Sequence, residues 1–188
     1  GLQAQVIEDS LKKTDVDPRT ISYIEAAAIG SLLGDAIEVE ALQKVFRKYT
    51  TDKKFCSLSC VKSNIGHAEA VSGMSQLTKV VLQMQHKKLV PTVMMTSINP
   101  NINFDDSPFY LQKEYEEWNR PKTVSLGEEK EFPRRALINS FGAGGTYANL
   151  LIEEYISIPE EEIKESSSLN SIPQIVILSA KDKDRLTV

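Results

Sequence analysis

Apolar residues at Leu2, Val6, Ile7 and Leu11 recur with helical spacing and stop near Asp17 and Pro18, which predicts an opening helix that starts without a capping residue. Thr20 to Ala26, TISYIEA, predicts a short buried strand. After AAIGSLLGD a second helix follows, with Ile37, Ala41, Leu42, Val45, Phe46 and Tyr49 on one face and Asp35 and Glu38 in capping-box spacing at its start. FCSLSCVKS, from Phe55 to Ser63, predicts the next strand and delivers the chain to Asn64–His67. A long helix is expected from about Ala68 to Gln85. Small residues in its first turns (Ala68, Ala70, Ser72, Gly73, Ser75) suit close backbone approach, and Leu77, Val80, Val81 and Met84 turn to the core. Beyond Pro91 come short extended pieces, LVPTVMM, SPFYLQK, RRALINSF and YANLLIEEY, separated by turn-rich NPNIN and the polar stretch PKTVSLGEEKEFP. Strand, helix, strand, helix and then several strands argue for an α/β layer with helices packed on a mixed sheet.

Ser157 to Pro173 is acidic, serine-rich and flanked by prolines, the composition of a linker or exposed excursion, and QIVILSA then opens a new strand. The expected organisation is one unit over residues 1–155, a linker over 156–173 and the start of a further region over 174–188, with both ends reading as cuts in a larger polypeptide. At 188 residues, with 41% hydrophobic and 26% charged, the composition fits a globular domain with a sizeable core. A formal charge of -4 offers no electrostatic footprint for nucleic acid or an anionic membrane surface. No apolar run approaches a membrane span and the start lacks a signal-peptide pattern, so a cytoplasmic location is expected. Cys56 and Cys60 lie in one strand, where four residues separate Cα atoms by ~13 Å, beyond the ~7 Å reach of a disulfide. They are expected to be reduced core residues.

Three glycine-containing turns each follow a predicted strand: residues 27–31, 63–67 and 140–146. In α/β proteins loops at the carboxyl ends of strands are the usual place for a site, and these three could converge on one pocket. His67 is the histidine in such a loop, with Lys62 at the end of the strand before it. A lone histidine beside a helix start is more often a structural hydrogen-bonding residue than a catalyst. His86, next to Lys87 and Lys88 at a helix carboxyl end, suits the surface. The Gly142, Gly144 and Gly145 turn lacks the Gly-x-Gly-x-x-Gly spacing and the lysine of a phosphate loop, so a tight turn exposing backbone N–H groups fits better. Zinc on Cys56, Cys60, His67 and His86 would need unusual spacing. No metal site is expected.

YIEAAAIGSLLGDAIEVEAL, CVKSNIGHAEAVSGM, LVPTVMMTSINPNINFDDSPFYLQ and INSFGAGGTYANLLIEEY together resemble the carboxy-terminal half of the ketosynthase domain of type I modular polyketide synthases, of the kind served by acyltransferases in trans. The likeness runs from about Val6 to Tyr155, and QIVILSAKDKDRL is similar to the start of the region that follows such domains. The resemblance implies a thiolase-like fold, α/β in five αβαβα layers, of which this chain supplies the carboxy-terminal half. It implies a cysteine nucleophile in the amino-terminal half, matched by neither Cys56 nor Cys60, so the isolated chain is expected to be inactive. Implied partners are that amino-terminal half, an acyl carrier protein and a second copy in a dimeric complete domain. No cofactor is bound directly, since the substrate arrives on the carrier's phosphopantetheine.

By the same resemblance His67 moves from structural to catalytic and Lys62 is the lysine associated with it. Ala143 supplies a backbone N–H to the oxyanion hole, at a position where the family often has phenylalanine. Substrate contacts are expected at Ser31, Asn64, Phe141, Gly142, Gly144 and Gly145. The family's other histidine opens a His-Gly-Thr-Gly-Thr motif after Glu-Ala, whereas here Glu25-Ala26 is followed by Ala27, Ala28, Ile29, Gly30 and Ser31. Ala27 therefore stands where that histidine is expected, which implies acyl transfer without decarboxylative condensation. Tyr147 and Asn149 replace the asparagine and histidine of Thr-Asn-Ala-His, which puts hydrogen bonding there in doubt. Two other readings compete: a catalytically inert structural or docking half-domain, and a condensing enzyme that has substituted another donor.

Overall fold

The computed structural model describes residues 1–93, 97–125 and 128–156. The linker read over 156–173, apart from Ile156, the strand at 174 and the region after it lie outside the described residues, as do Met94 and Met95 of LVPTVMM. The chain divides into two units between Glu154 and Tyr155, and every described helix and strand belongs to Gly1–Glu154.

Helix α1 (Leu2–Thr14) leads through a short 3-10 turn to β1 (Tyr23–Glu25), then α2 (Gly34–Phe46), β2 (Cys56–Ser59), the one-turn α3 (Lys62–Ile65) and α4 (Ser72–His86). Strands β3 (Lys88–Leu89), β4 (Phe109–Leu111), β5 (Glu116–Glu117), β6 (Lys122–Ser125), β7 (Glu128–Glu131), β8 (Arg135–Phe141) and β9 (Tyr147–Glu153) follow. The main sheet has the order β4-β2-β1-β8-β9. Its first four strands are parallel, and β9 returns antiparallel on β8 with Asn139 opposite Asn149. The mixed α/β sheet expected from the pattern is thus present.

Strand alternation sends side chains into two cores. On one face Ile24, Cys56, Phe109 and Leu137 pack with Ile7 and Leu11 of α1 and Val39, Leu42, Val45 and Phe46 of α2. On the other, Tyr23, Ala136 and Ile138 pack with Val80 and Met84 of α4 and with Trp118. Helices therefore cover both faces, with β1 and β8 central.

Several local expectations need correction. Asp35 and Glu38 form no capping box: the residue before α2 is Leu33, which makes no side-chain cap bond, and both carboxylates serve the preceding loop instead. The buried face of α2 is rotated, because Glu38 and Val39 turn inward while Ile37 and Tyr49 are exposed. Val81 of α4 is exposed, and the stripe it was expected to share is filled by Ser72, Gln76, Lys79 and Gln83 beside Val80 and Met84. Lys62 lies in α3 rather than at the end of a strand. The polar stretch read as a separator contributes the antiparallel pair β6–β7, a signal lost because β7 is an unbroken run of exposed charges with no buried face.

Candidate functional site

The loop after β1 is held by side chains from several elements. Glu38 Oε1 accepts the Ala27 N–H at 2.8 Å, Lys62 Nζ donates to Ala27 O at 2.6 Å, Gln76 Nε2 donates to Ala26 O at 2.9 Å, and the Cys60 thiol meets Ala28 O at 3.2 Å. Asp35 accepts the N–H groups of Ile29 and Gly30, and Gly30 takes the positive φ of 82° that glycine tolerates. Ala27 itself is 8% exposed, so a methyl group on a fixed backbone occupies the position.

Glu38 is nearly fully buried, and desolvation raises its carboxyl to about 7 against the bonds from Ala27 N–H and Asn139 Nδ2. Asn139 Oδ1 in turn accepts from Asn149 Nδ2 at 2.7 Å. Asn149 thus joins an ordered chain from α2 through β8 to β9 through its Nδ2, while its buried Oδ1 meets no partner among the described residues.

His67 sits on the exposed lead-in to α4. Its Nδ1 accepts the Glu69 N–H at 2.9 Å and lies 3.3 Å from Ser72 Oγ, and Glu69 adopts the positive φ of 49° that this bend uses. A ring nitrogen that accepts a backbone N–H carries no proton, so in the neutral ring the proton is on Nε2, available as a donor.

At the end of β8, Gly142 N–H closes on Thr146 O at 2.9 Å and Gly145 N–H on Gly142 O at 3.0 Å, with Gly145 at a φ of +87°. Among the described residues the N–H groups of Ala143 and Gly144 meet no acceptor. Such free backbone donors are what an oxyanion hole needs. Phe141 packs edge-on against Tyr147 at 5.3 Å between centroids, Asn64 Nδ2 reaches Pro91 O, and the Ser31 hydroxyl accepts from Gly34 N–H. Hydrogen bonds join Lys62 to the Ala27 loop, and His67 to the start of α4. Gly73, at that start, would carry a Cβ only 3.7 Å from Ser140 Oγ, next to the glycine turn.

A cavity of about 470 Å³ opens beyond β1 and β2 and is lined by Ala28, Glu38, Cys60 and Lys62, but not by His67 or the glycine turn. An apolar groove of about 580 Å³ runs beside α4 past Ile65, Val71, Met74, Leu82 and Tyr115. Both cysteines are free and buried, and burial pushes the Cys60 thiol up to about 11 and Cys56 well above its usual value. Neither is poised as a thiolate nucleophile. Among the described residues no group of three or more His, Cys, Asp or Glu could hold a metal, and no helix is long and apolar enough to cross a membrane.

Sequence reasoning missed the buried polar residues beneath the site: Glu25, Glu38, Gln76 and Lys79. Their signal was present in the helical spacing of Ser72, Gln76, Lys79 and Gln83, but such residues are ordinarily read as a solvated face.

Residues 1–96 match the family described as "Beta-ketoacyl synthase, C-terminal domain". The chain is 49% identical over 186 residues to polyketide synthase PksL of Bacillus subtilis (strain 168), covering 99% of this chain and 4% of that protein. It is 54% identical over 161 residues to PksR of the same organism, covering 85% of this chain and 6% of that one. The chain therefore spans a small part of these relatives. Among solved structures, ketosynthase twelve from the bacillaene polyketide synthase of Bacillus amyloliquefaciens superposes with a TM-score of 0.74 at 42% identity, over 82% of this chain and 26% of that one. An oxazolomycin ketosynthase domain from Streptomyces albus JA3453 gives 0.77 at 33% identity, over 98% and 30%.

Proposed function

The chain belongs to the β-ketoacyl synthase C-terminal domain family, in the form carried by polyketide synthases and with the carboxy-terminal half of the thiolase-like fold, and from that premise we propose that it completes a ketosynthase that passes carrier-bound acyl chains on without extending them. The observation that carries this reading is Ala27: a buried methyl, with its N–H and C=O already taken by Glu38 and Lys62, stands where the resemblance expects a proton-donating ring.

Acyl transfer needs no such ring. A thiolate from the amino-terminal half attacks the carrier thioester carbonyl, and the oxyanion that forms is held by backbone donors including Ala143 N–H. Collapse breaks the carbon–sulfur bond and releases the phosphopantetheine thiolate. The reverse step delivers the acyl group to the next carrier. Condensation differs, because loss of carbon dioxide from a malonyl thioester leaves its electron pair as an enolate whose oxygen needs two N–H donors. His67 Nε2–H can serve as one, and Lys62 braces the Ala27 loop through Ala27 O. Absence of the other donor costs about 2.7–4 kcal/mol, or about 100- to 1000-fold.

The apolar groove beside α4 supports docking of the amino-terminal half, and we assign residues 1–155 to the half-domain, 156–173 to a linker and 174–188 to the following region. Carrier protein, trans-acting acyltransferase, dimeric complete domain and cytoplasmic location complete the proposal.

The test uses the complete domain containing this chain with acyl-carrier and malonyl-carrier in separate assays. Mass spectrometry is expected to reveal acyl-enzyme, with no carbon dioxide released and no extended product. Efficient condensation overturns the assignment, and failure of loading in a folded complex favours the inert half-domain.

A further inference from the structure

Helix α4 buries a glutamine where an apolar residue would pack without penalty. Gln76 has no exposed surface and gives both protons of its side-chain amide to backbone carbonyls on neighbouring strands, one to Ala26 O at 2.9 Å and the other to Asn139 O at 2.8 Å. The paired residues of β1 and β8 end at Glu25 opposite Ile138, so the amide bridges the next carbonyl along each strand. Its own Oε1 has no partner among the described residues, a cost an apolar side chain would not carry.

From these contacts we infer that Gln76 is a positioning residue, tying β1 and β8 to α4 where their mutual pairing ends and thereby setting the spacing of the Ala27 loop, the Ala143 turn and His67. Ala26 immediately precedes Ala27. Asn139 lies just before the Phe141–Gly145 turn. One helical turn back from Gln76, Gly73 closes on Ser140 and Ser72 approaches His67 Nδ1, so the helix meets each of the three loops within its first turns. A planar amide with two protons can span two carbonyls that lie side by side; a hydroxyl, with one proton, cannot. Gln76 is too deeply buried to touch substrate, so it acts through the loops it holds.

The inference rests on the acyl-transfer reading for its kinetic arm only. In the complete domain, Gln76→Met is compared with Gln83→Met. Gln83 is equally buried two turns along α4, but its side chain accepts from Val90 N–H and reaches neither strand end. Gln76→Met is expected to lower the saturated rate of acyl loading about 10- to 100-fold with KM for acyl-carrier unchanged. Hydrogen exchange should speed up together in peptides spanning residues 26–30 and 140–146. Gln83→Met should lower the melting temperature while sparing both readouts. If Gln76→Met does not fold, Gln76→Glu, of equal length and with at most one proton to give, decides by the same measurements. Unchanged exchange at both strand ends, or an equal change in Gln83→Met, overturns the inference. Wild-type protein that fails to load acyl groups removes the acyl-transfer reading, while the exchange comparison still decides Gln76.

Discussion

Glu38 combines a buried carboxyl with a structural task, and its charge state governs stability. Its folded-state value near 7 lies above the ordinary glutamate value of 4.5, so between these limits the folded protein binds more protons than the unfolded one. Stability is full below about 4.5 and falls as pH rises through about 7, by an amount on the order of 3 kcal/mol. Glu38→Gln keeps an Oε1 that can accept from both Ala27 N–H and Asn139 Nδ2, the two bonds Glu38 makes through that same atom. The variant is expected to flatten this part of the stability profile, measured by urea denaturation from pH 4 to 8. A second residue-scale expectation concerns Ala27→His. On the proposed reading the backbone there is already fixed, but Ala28 and Ile29 stand where the resemblance expects glycine and threonine, and misplacing the ring by ~1 Å costs about 100-fold. Carbon dioxide release from malonyl-carrier should therefore recover only slightly, if at all.

At the scale of elements, α4 is pinned to the sheet by a buried ion pair as well as by Gln76. Lys79 Nζ lies 3.0 Å from Glu25 Oε2 and donates to Ser59 Oγ at 2.9 Å, and the same carboxyl accepts from Tyr23 OH at 2.6 Å and from Val61 N–H. Burial pushes the Glu25 carboxyl up, opposed chiefly by Lys79. Removing the ammonium alone leaves a carboxylate without its counter-charge, so Lys79→Met should destabilise by about 3–5 kcal/mol. The double variant Glu25→Gln with Lys79→Met should recover much of that loss in a double-mutant cycle. A double variant that loses the sum of the two single losses would mean the pair is not coupled.

For the half-domain as a whole, the apolar groove beside α4 is the feature a larger assembly would use. Ile65, Val71 and Met74 on its wall are 64%, 59% and 62% exposed. Contiguous apolar surface of this kind favours association. The isolated chain is expected to self-associate in sedimentation velocity, and Ile65→Lys with Met74→Lys should return it to monomer while also blocking capture by an amino-terminal ketosynthase half. A wild-type chain that stays monomeric at high concentration counts against the docking role of this groove.

The sequence alone determined the order of the long strands and helices, because each carries its own period: Ile7 and Leu11 along α1, Leu42, Val45 and Phe46 along α2, Leu137 against Ala136 and Ile138 in β8. It also determined where chemistry was to be sought, since glycine turns beyond strand ends are local features, and that alanine stands at position 27. Tertiary structure alone decided what the polar residues do. Asp35 and Glu38 have the spacing of a helix cap, yet their acceptors are used on the preceding loop, because that loop folds back over the helix start. Gln76 and Lys79 have the spacing of a buried stripe but the chemistry of a surface. Only the Ala26 and Asn139 carbonyls and the Glu25 carboxyl brought opposite them by sheet order make burial favourable, and those partners lie up to 63 residues away along the chain.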